Sequence, residues 1–257
     1  MTVSFEVDDD IAVVSLNRPD ALNAISGALA DDLREVLREV GSRPDILVLV
    51  LTGAGDKAFC VGADLKERGT FELEDFIGNR RQMASMFQAV REIPQPSLAA
   101  VFGFTLGGGF ELALSCDLIV AADTTELALP EARVGLVPGG GGTQLLPRKV
   151  GSSVAKELIF TGRRMGAQEA LTLGLVARVV SRDELRAAAL ELARDIGKSS
   201  PVAVREAKRI VDATFGVPLE DAIAQESEAW SRVIATADRA EGIAAFNEKR
   251  EPRWANR

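Results

Sequence analysis

Hydrophobic positions change their spacing several times along this 257-residue chain, and each change marks an element. Val3, Phe5 and Val7 alternate, and Ile11 and Val13 resume the same spacing beyond Asp8-Asp9-Asp10, which predicts a β-hairpin. From Ser26 the period lengthens. Leu29, Leu33, Val36, Leu37 and Val40 fall on one helical face that ends at Gly41, with Ser26 placed to cap it. Residues 46–51 form an unbroken aliphatic run closed by Thr52-Gly53, the pattern of a strand covered on both faces. A helix over 74–91 stops before Pro94 and Pro96, and 97–101 is a second buried strand. A glycine-rich turn then leads into a helix carrying Glu111, and 117–122 gives a third strand.

Strands alternating with helices argue for an α/β fold with a largely parallel sheet. The texture changes after Arg182. Residues 183–197, 202–215, 219–235 and 239–249 all read as helices, with no further strand. The chain is therefore expected to divide into a core domain over 1–182 and a helical region over 183–257. The latter packs on its own core or on a partner subunit.

Composition narrows the chemistry. A net charge of −8 argues against a nucleic-acid surface, which depends on neutralising phosphates, although a local basic cluster can still hold a small anion. The two cysteines, Cys60 and Cys116, provide neither a disulfide framework nor metal-ligand spacing, which points to a reducing compartment. No apolar run approaches bilayer length and the first residues resemble no targeting peptide, so no membrane partner is expected and the expected location is the cytoplasm. Histidine and tyrosine are both absent. Imidazole bases, histidine metal sites and phenolic acids are thereby excluded, leaving carboxylates, lysines and thiols to move protons.

Against that background two carboxylates stand out. Glu111 follows Gly107-Gly108-Gly109-Phe110 and is embedded in Leu112, Ala113 and Leu114, an expensive place for an ionisable group without a partner or a task. Glu131 follows Pro130 in a second apolar stretch, with Gly135 and the run Gly139 through Gly142 around it. Taken alone, Glu131 reads as solvated or paired with Arg133. Two such groups beside glycine-rich backbone suit acid/base chemistry in which peptide N–H groups hold developing negative charge. Gly53-Ala54-Gly55 loosely fits a dinucleotide fingerprint, but the following Lys57-Ala58-Phe59-Cys60-Val61-Gly62 reads as extended where that motif needs a helix.

Together these segments resemble the crotonase, or enoyl-CoA hydratase/isomerase, family. The resemblance runs through Leu16-Asn17-Arg18-Pro19, Phe59-Cys60-Val61-Gly62-Ala63-Asp64-Leu65, Gly107-Gly108-Gly109-Phe110-Glu111, Pro130-Glu131, Pro138-Gly139-Gly140-Gly141-Gly142-Thr143 and Ala245-Phe246-Asn247-Glu248-Lys249-Arg250. It implies a spiral of ββα turns with a C-terminal helical region that assembles trimers, often paired into hexamers, and an acyl-CoA substrate. By the same resemblance, the backbone N–H groups of Ala63 and Gly108 form an oxyanion hole, and Glu111 and Glu131 are the catalytic pair. Ala63, Asp64, Leu65 and Lys66 lie along the CoA moiety, Lys57 sits near its phosphates, and Phe246 and Lys249 reach CoA bound by a neighbouring subunit. No cofactor is implied, since coenzyme A is part of the substrate.

Retention of both glutamates favours hydration of a trans-2-enoyl-CoA, a hydro-lyase reaction, without deciding which one is acid and which base. Alternatives are another acyl-CoA isomerase activity, a carnitinyl-CoA dehydratase, which Thr161-Gly162-Arg163-Arg164-Met165-Gly166-Ala167 resembles, or a CoA-binding scaffold without turnover. Phe102, Phe104, Leu127, Leu129 and Leu145 depart from residues common in the family and leave the acyl group open.

Overall fold

Alternate residues of the central strands face two different cores, which is why their sequences are aliphatic at every position. In the computed structural model, which describes residues 1–257, the hairpin strands β1 (Val3–Asp8) and β2 (Ile11–Leu16) pair antiparallel. Three turns of a spiral follow. The first comprises α1 (Gly27–Ser42), then β3 (Val48–Gly53), β4 (Ala58–Cys60), α2 (Leu65–Arg68) and α3 (Leu73–Glu92). The second comprises β5 (Ser97–Val101), β6 (Phe104–Leu106) and α4 (Gly108–Ser115). The third comprises β7 (Leu118–Ala122), β8 (Glu126–Ala128), a 3-10 turn (Glu131–Val134), α5 (Gly142–Val150) and α6 (Ser152–Thr161). The chain closes through β9 (Met165–Gly166), α7 (Ala167–Thr172) and β10 (Arg178–Val180). Four helices complete it: α8 (Leu185–Gly197), α9 (Pro201–Thr214), α10 (Leu219–Ile234) and α11 (Ala237–Glu248).

Each turn adds one long strand to a six-stranded sheet, ordered β1-β2-β3-β5-β7-β10, and one short strand to a second sheet, ordered β4-β6-β8-β9. Pairing is parallel from β2 onward in the first sheet and between β4, β6 and β8 in the second. Leu49, Leu51, Ala99, Val101, Ile119 and Ala121 point into the larger core with α1, α3 and α4. Val48, Val50, Leu98, Ala100, Val120 and Ala122 point the other way, onto Leu185, Ala189 and Ala193 of α8. This two-sided burial is the reason for the runs read from the sequence.

The local signals act as expected. Ser26 Oγ accepts from the Leu29 N–H at 3.2 Å and starts α1, which continues one residue beyond Gly41. After β10 the chain is helical, and Lys208 of α9 ties back to Asp117 at 2.8 Å. The short strands β6, β8, β9 and β10 and the helices α5, α6 and α7 are additions to the elements read from the sequence.

Full burial in the larger core gives a stability prediction. Leu49→Ala in β3 is expected to cost about 2–5 kcal/mol, since the site cannot collapse between sheet and helices. Val7→Ala on β1, where the side chain is 38% exposed, is expected to stay within about 0.5 kcal/mol. Urea titration of both variants measures the contrast; equal losses would contradict the two-core account.

Candidate active site

The turn from β4 into α2 and the turn from β6 into α4 lie side by side. Ile25 donates to the Gly62 carbonyl at 2.7 Å and accepts from the Asp64 N–H at 3.0 Å. Those bonds use the peptide groups flanking Ala63 and leave the Ala63 N–H without an acceptor in the chain. Gly108 is the first residue of α4, so its N–H has no intrahelical acceptor either. A Cβ on Gly108 would stand 3.7 Å from the Ala63 nitrogen, which places the two free amides together. Gly62 is what keeps them open. Its φ is +86°, and a Cβ there would stand 2.8 Å from the Gly108 nitrogen.

Glu111 lies in the first turn of α4, 3% exposed. Its Oε1 accepts from the N–H groups of Gly140 (2.7 Å) and Gly142 (2.8 Å), at the entrance to α5. Burial pushes its pKa up; the two amides and the charge of Arg80 oppose that rise without cancelling it. Gly140 is required at close quarters, because a Cβ would meet Glu111 Oε2 at 2.8 Å and the Phe87 ring at 2.5 Å.

Glu131 opens the 3-10 turn after β8, with Oε1 3.2 Å from the position a Cβ on Gly107 would take. It therefore borders the same turn that presents the Gly108 N–H. Its Oε2 is buried without any hydrogen-bond partner. Burial raises its pKa to about 7, and the neighbouring Glu111 adds to the rise. Arg133 does not pair with it; that guanidinium donates to the Thr161 carbonyl at 2.7 Å. The two carboxylates are thus neighbours in unlike surroundings, one gripped by main-chain amides and the other loose and readily protonated.

The remaining sequence-derived positions fall in two groups. Ala63, Asp64, Leu65 and Lys66 run from the free amide into α2. The Asp64 carboxylate is committed to structure: it caps Lys66 and Glu67 N–H groups at 3.1 and 3.3 Å and pairs with Arg18 at 2.9 Å. Burial raises its pKa, but Arg18 and the cap amides together carry it below the ordinary value. Leu65, Lys66 and Lys57 are exposed, and the Lys57 carbonyl accepts from Phe104 at 3.1 Å. Phe246, 84% exposed, and Lys249 lie at the end of α11, which makes no hydrogen bond to the Ala63 segment.

Sequence reading names Gly140, Gly142 and Arg18 but does not pair them with Glu111 and Asp64. The glycine run, which the sequence places around Glu131, gives two of its amides to Glu111. A separate cavity of about 170 Å³, lined by Val13, Ser15, Val50, Thr52 and Arg182 among others, lies against α8 and contains neither glutamate.

This arrangement can polarise a carbonyl between two amides while two carboxylates exchange protons beside it. Comparison with known proteins gives the family. The sequence profile of the enoyl-CoA hydratase/isomerase family matches residues 6–257. The short-chain-enoyl-CoA hydratase of Clostridium acetobutylicum is 40% identical over 254 residues, spanning 97% of this chain and 95% of its own. Human enoyl-CoA hydratase domain-containing protein 2, mitochondrial, is 40% identical across 97% of this chain and 87% of its own. The crystal structure of enoyl-CoA hydratase from Bacillus anthracis superimposes with a TM-score of 0.98 at 41% identity, over 100% of both chains. With its ββα spiral and this match along nearly its whole length, the chain belongs to the enoyl-CoA hydratase/isomerase family.

Proposed function

We propose that the protein is a hydro-lyase that adds water reversibly across the C2=C3 bond of a trans-2-enoyl-CoA. The observation that carries this reading is the unequal carboxylate pair beside two free main-chain amides. The N–H groups of Ala63 and Gly108 hold the thioester oxygen and stabilise the enolate formed as water attacks C3. Glu111, oriented by Gly140 and Gly142 through hydrogen bonds that favour its ionised form, takes the proton from water. Glu131, with its pKa near 7 and its Oε2 unpartnered, supplies the proton to C2. No cofactor enters; coenzyme A arrives as part of the substrate.

In this reading Ala63, Asp64, Leu65 and Lys66 line the CoA path through their backbone and α2, and the exposed cations Lys57 and Lys66 serve its phosphates. Phe246 and Lys249 serve a neighbouring subunit's CoA. Val211, Phe215, Leu219 and Trp230 are between 60% and 71% exposed on or beside α9 and α10, which supports self-association of the 183–257 region as a trimer or a hexamer. The 1–182 core supplies the chemistry, and the cytoplasm is the proposed location. No helix is long and apolar enough to cross a membrane.

Isomerisation would need only proton transfer between carbons, whereas two carboxylates in different protonation states suit the addition of water. Carnitinyl-CoA dehydration requires a cationic acyl group, and the positive charge of Arg80 near Glu111 opposes it. A scaffold without turnover would bind CoA yet leave every enoyl thioester unchanged.

Three measurements test the proposal. Crotonyl-CoA is expected to lose its enoyl-thioester ultraviolet absorbance with the wild-type protein and to keep it with Glu111→Gln; undiminished turnover in that variant would remove Glu111 from the mechanism. Gly62→Ala, which crowds the Gly108 amide, is expected to lower kcat by roughly 10²–10³-fold, the typical effect of losing one oxyanion donor. Glu131 is protonated below its pKa of about 7 and ionised above it, and a general acid works only while protonated. Hydration kcat/KM is therefore expected to fall as pH rises through that value, and a flat profile from about pH 6 to about pH 9 would disqualify Glu131 as the acid.

A further inference from the structure

Of the two free amides, the one on Ala63 stands on the weaker footing. Gly108 opens α4, an eight-residue helix buried in the core. Ala63 lies between β4 and α2, and α2 has only four residues, too few to fix itself. A donor acts on developing charge only where it is held in advance, so other parts of the chain have to hold this amide.

Much of that hold comes from residues 24–27. Ile25 bonds both peptide groups beside Ala63, and the Gly27 N–H donates to the Glu67 carboxylate at 3.1 Å. The support is itself strained. Leu22 and Asn23 have φ of +51° and +55°, a region that residues other than glycine keep only where their surroundings enforce it. Asn23 is fully buried and held from three sides. Its Oδ1 accepts from the Arg18 N–H at 2.9 Å, and its Nδ2 donates to the carbonyls of Ala54 (2.9 Å) and Ala58 (3.0 Å).

One side chain from outside both segments joins them. Arg18 Nη1 donates to the Ala24 carbonyl at 2.6 Å, and its Nη2 donates to Asp64 Oδ2 at 2.9 Å. Ala24 precedes Ile25 and Asp64 follows Ala63, so the guanidinium spans the bridge between Ile25 and Ala63. The other Asp64 oxygen caps α2, which extends the clamp into that helix. The ion pair is mostly shielded, with side-chain exposures of 24% and 12%, and is screened less than a surface pair.

Resting on the hydratase reading above, we propose that Arg18 is a positioning residue of the reaction, which keeps the Ala63 N–H aimed at the thioester oxygen through Ala24 and Asp64 without touching substrate. Both terminal nitrogens are engaged within the chain. A planar guanidinium holds its two acceptors in a fixed mutual orientation, which the point charge of a lysine does not.

The test separates positioning from substrate binding. Arg18→Gln is expected to lower kcat on crotonyl-CoA about tenfold to a hundredfold, the scale of a displaced donor, with KM and CoA affinity within about twofold of wild type. Arg18→Lys is expected to recover part of kcat. Asp64→Asn, which keeps an oxygen for the helix cap, is expected to show the same split, and the Arg18→Gln/Asp64→Asn double variant to lose little more than either alone. Isotope-edited infrared spectroscopy of bound butyryl-CoA labelled at its carbonyl carbon reads the oxyanion hole directly. The downshift of the carbonyl stretch is expected to shrink in Arg18→Gln and in Asp64→Asn. If Arg18→Gln does not fold, Arg18→Lys and Asp64→Asn carry the same comparison. A wild-type downshift and kcat in these variants overturn the inference, as does a raised KM with weakened CoA binding and an intact downshift, which would place Arg18 on the substrate. In either case crotonyl-CoA hydration by the wild-type protein leaves the hydratase reading standing. If the wild-type protein neither hydrates crotonyl-CoA nor shifts the carbonyl stretch, the hydratase reading fails and this inference with it.

Discussion

An ionisable carboxyl buried in an apolar helix has to be compensated, and every hydrogen bond to the Glu111 carboxylate comes from backbone. Its Oε1 takes two amide hydrogens from Gly140 and Gly142, and no cationic side chain touches it. Much of the local architecture follows from that arrangement. The loop from Pro138 to Gly142 has to come within hydrogen-bond distance of α4, and any Cβ at Gly140 would collide with Phe87 and with the carboxylate it serves. The loop in turn starts α5, so the third spiral turn is anchored to the second by a functional group. Salt-bridging the same carboxylate would have held it more strongly in the ionised state and made it a weaker base.

The spiral explains how the parts arrive at one place. Each turn crosses from the large sheet to the small one and then into a helix, so the C-terminal ends of β4, β6 and β8 are neighbours. β4 delivers Gly62 and Ala63, β6 delivers Gly107 and Gly108, and β8 delivers Pro130 and Glu131. One repeat of the winding therefore supplies each component: an amide, a second amide with a carboxylate one helical turn beyond it, and a second carboxylate. Parallel pairing with fixed register sets their spacing, so side chains on the large sheet can vary in packing without moving the site.

How far this was legible in the sequence depended on length and period. The buried strands around Val50, Ala99 and Val120 announced themselves because both faces are covered and every position is aliphatic. The capped α1 and the four closing helices were equally plain, since each repeats its apolar face over several turns. By contrast, β6 and β8 have three residues each and β9 has two, too few for any period to emerge. Phe104–Leu106 consequently merged with the glycine-rich turn that follows it. At the site, Glu111 was conspicuous by its apolar neighbours, and Glu131 much less so. The service of Gly140 and Gly142 to Glu111 was invisible, because a glycine amide carries no side-chain signature and its partner lies far away along the chain. The Asp64 commitment to Arg18 was hidden for a similar reason: pairing across the fold leaves no local pattern.

Main-chain and side-chain functions are separated here, and that separation bears on what the scaffold can do. The two free amides depend on Gly62 φ and on the start of α4, neither of which involves the identity of an acid or base. Any thioester oxygen seated there would be stabilised as negative charge develops, whatever happens at C2 or C3. The outcome is then decided by the groups that face the acyl carbons. In the proposed reading they are one carboxylate held by amides and one left loose and raised toward neutrality. A fold that presents free amides to an oxygen and leaves the proton transfers to side chains can host hydratases and isomerases alike, and the family to which this chain belongs carries both names.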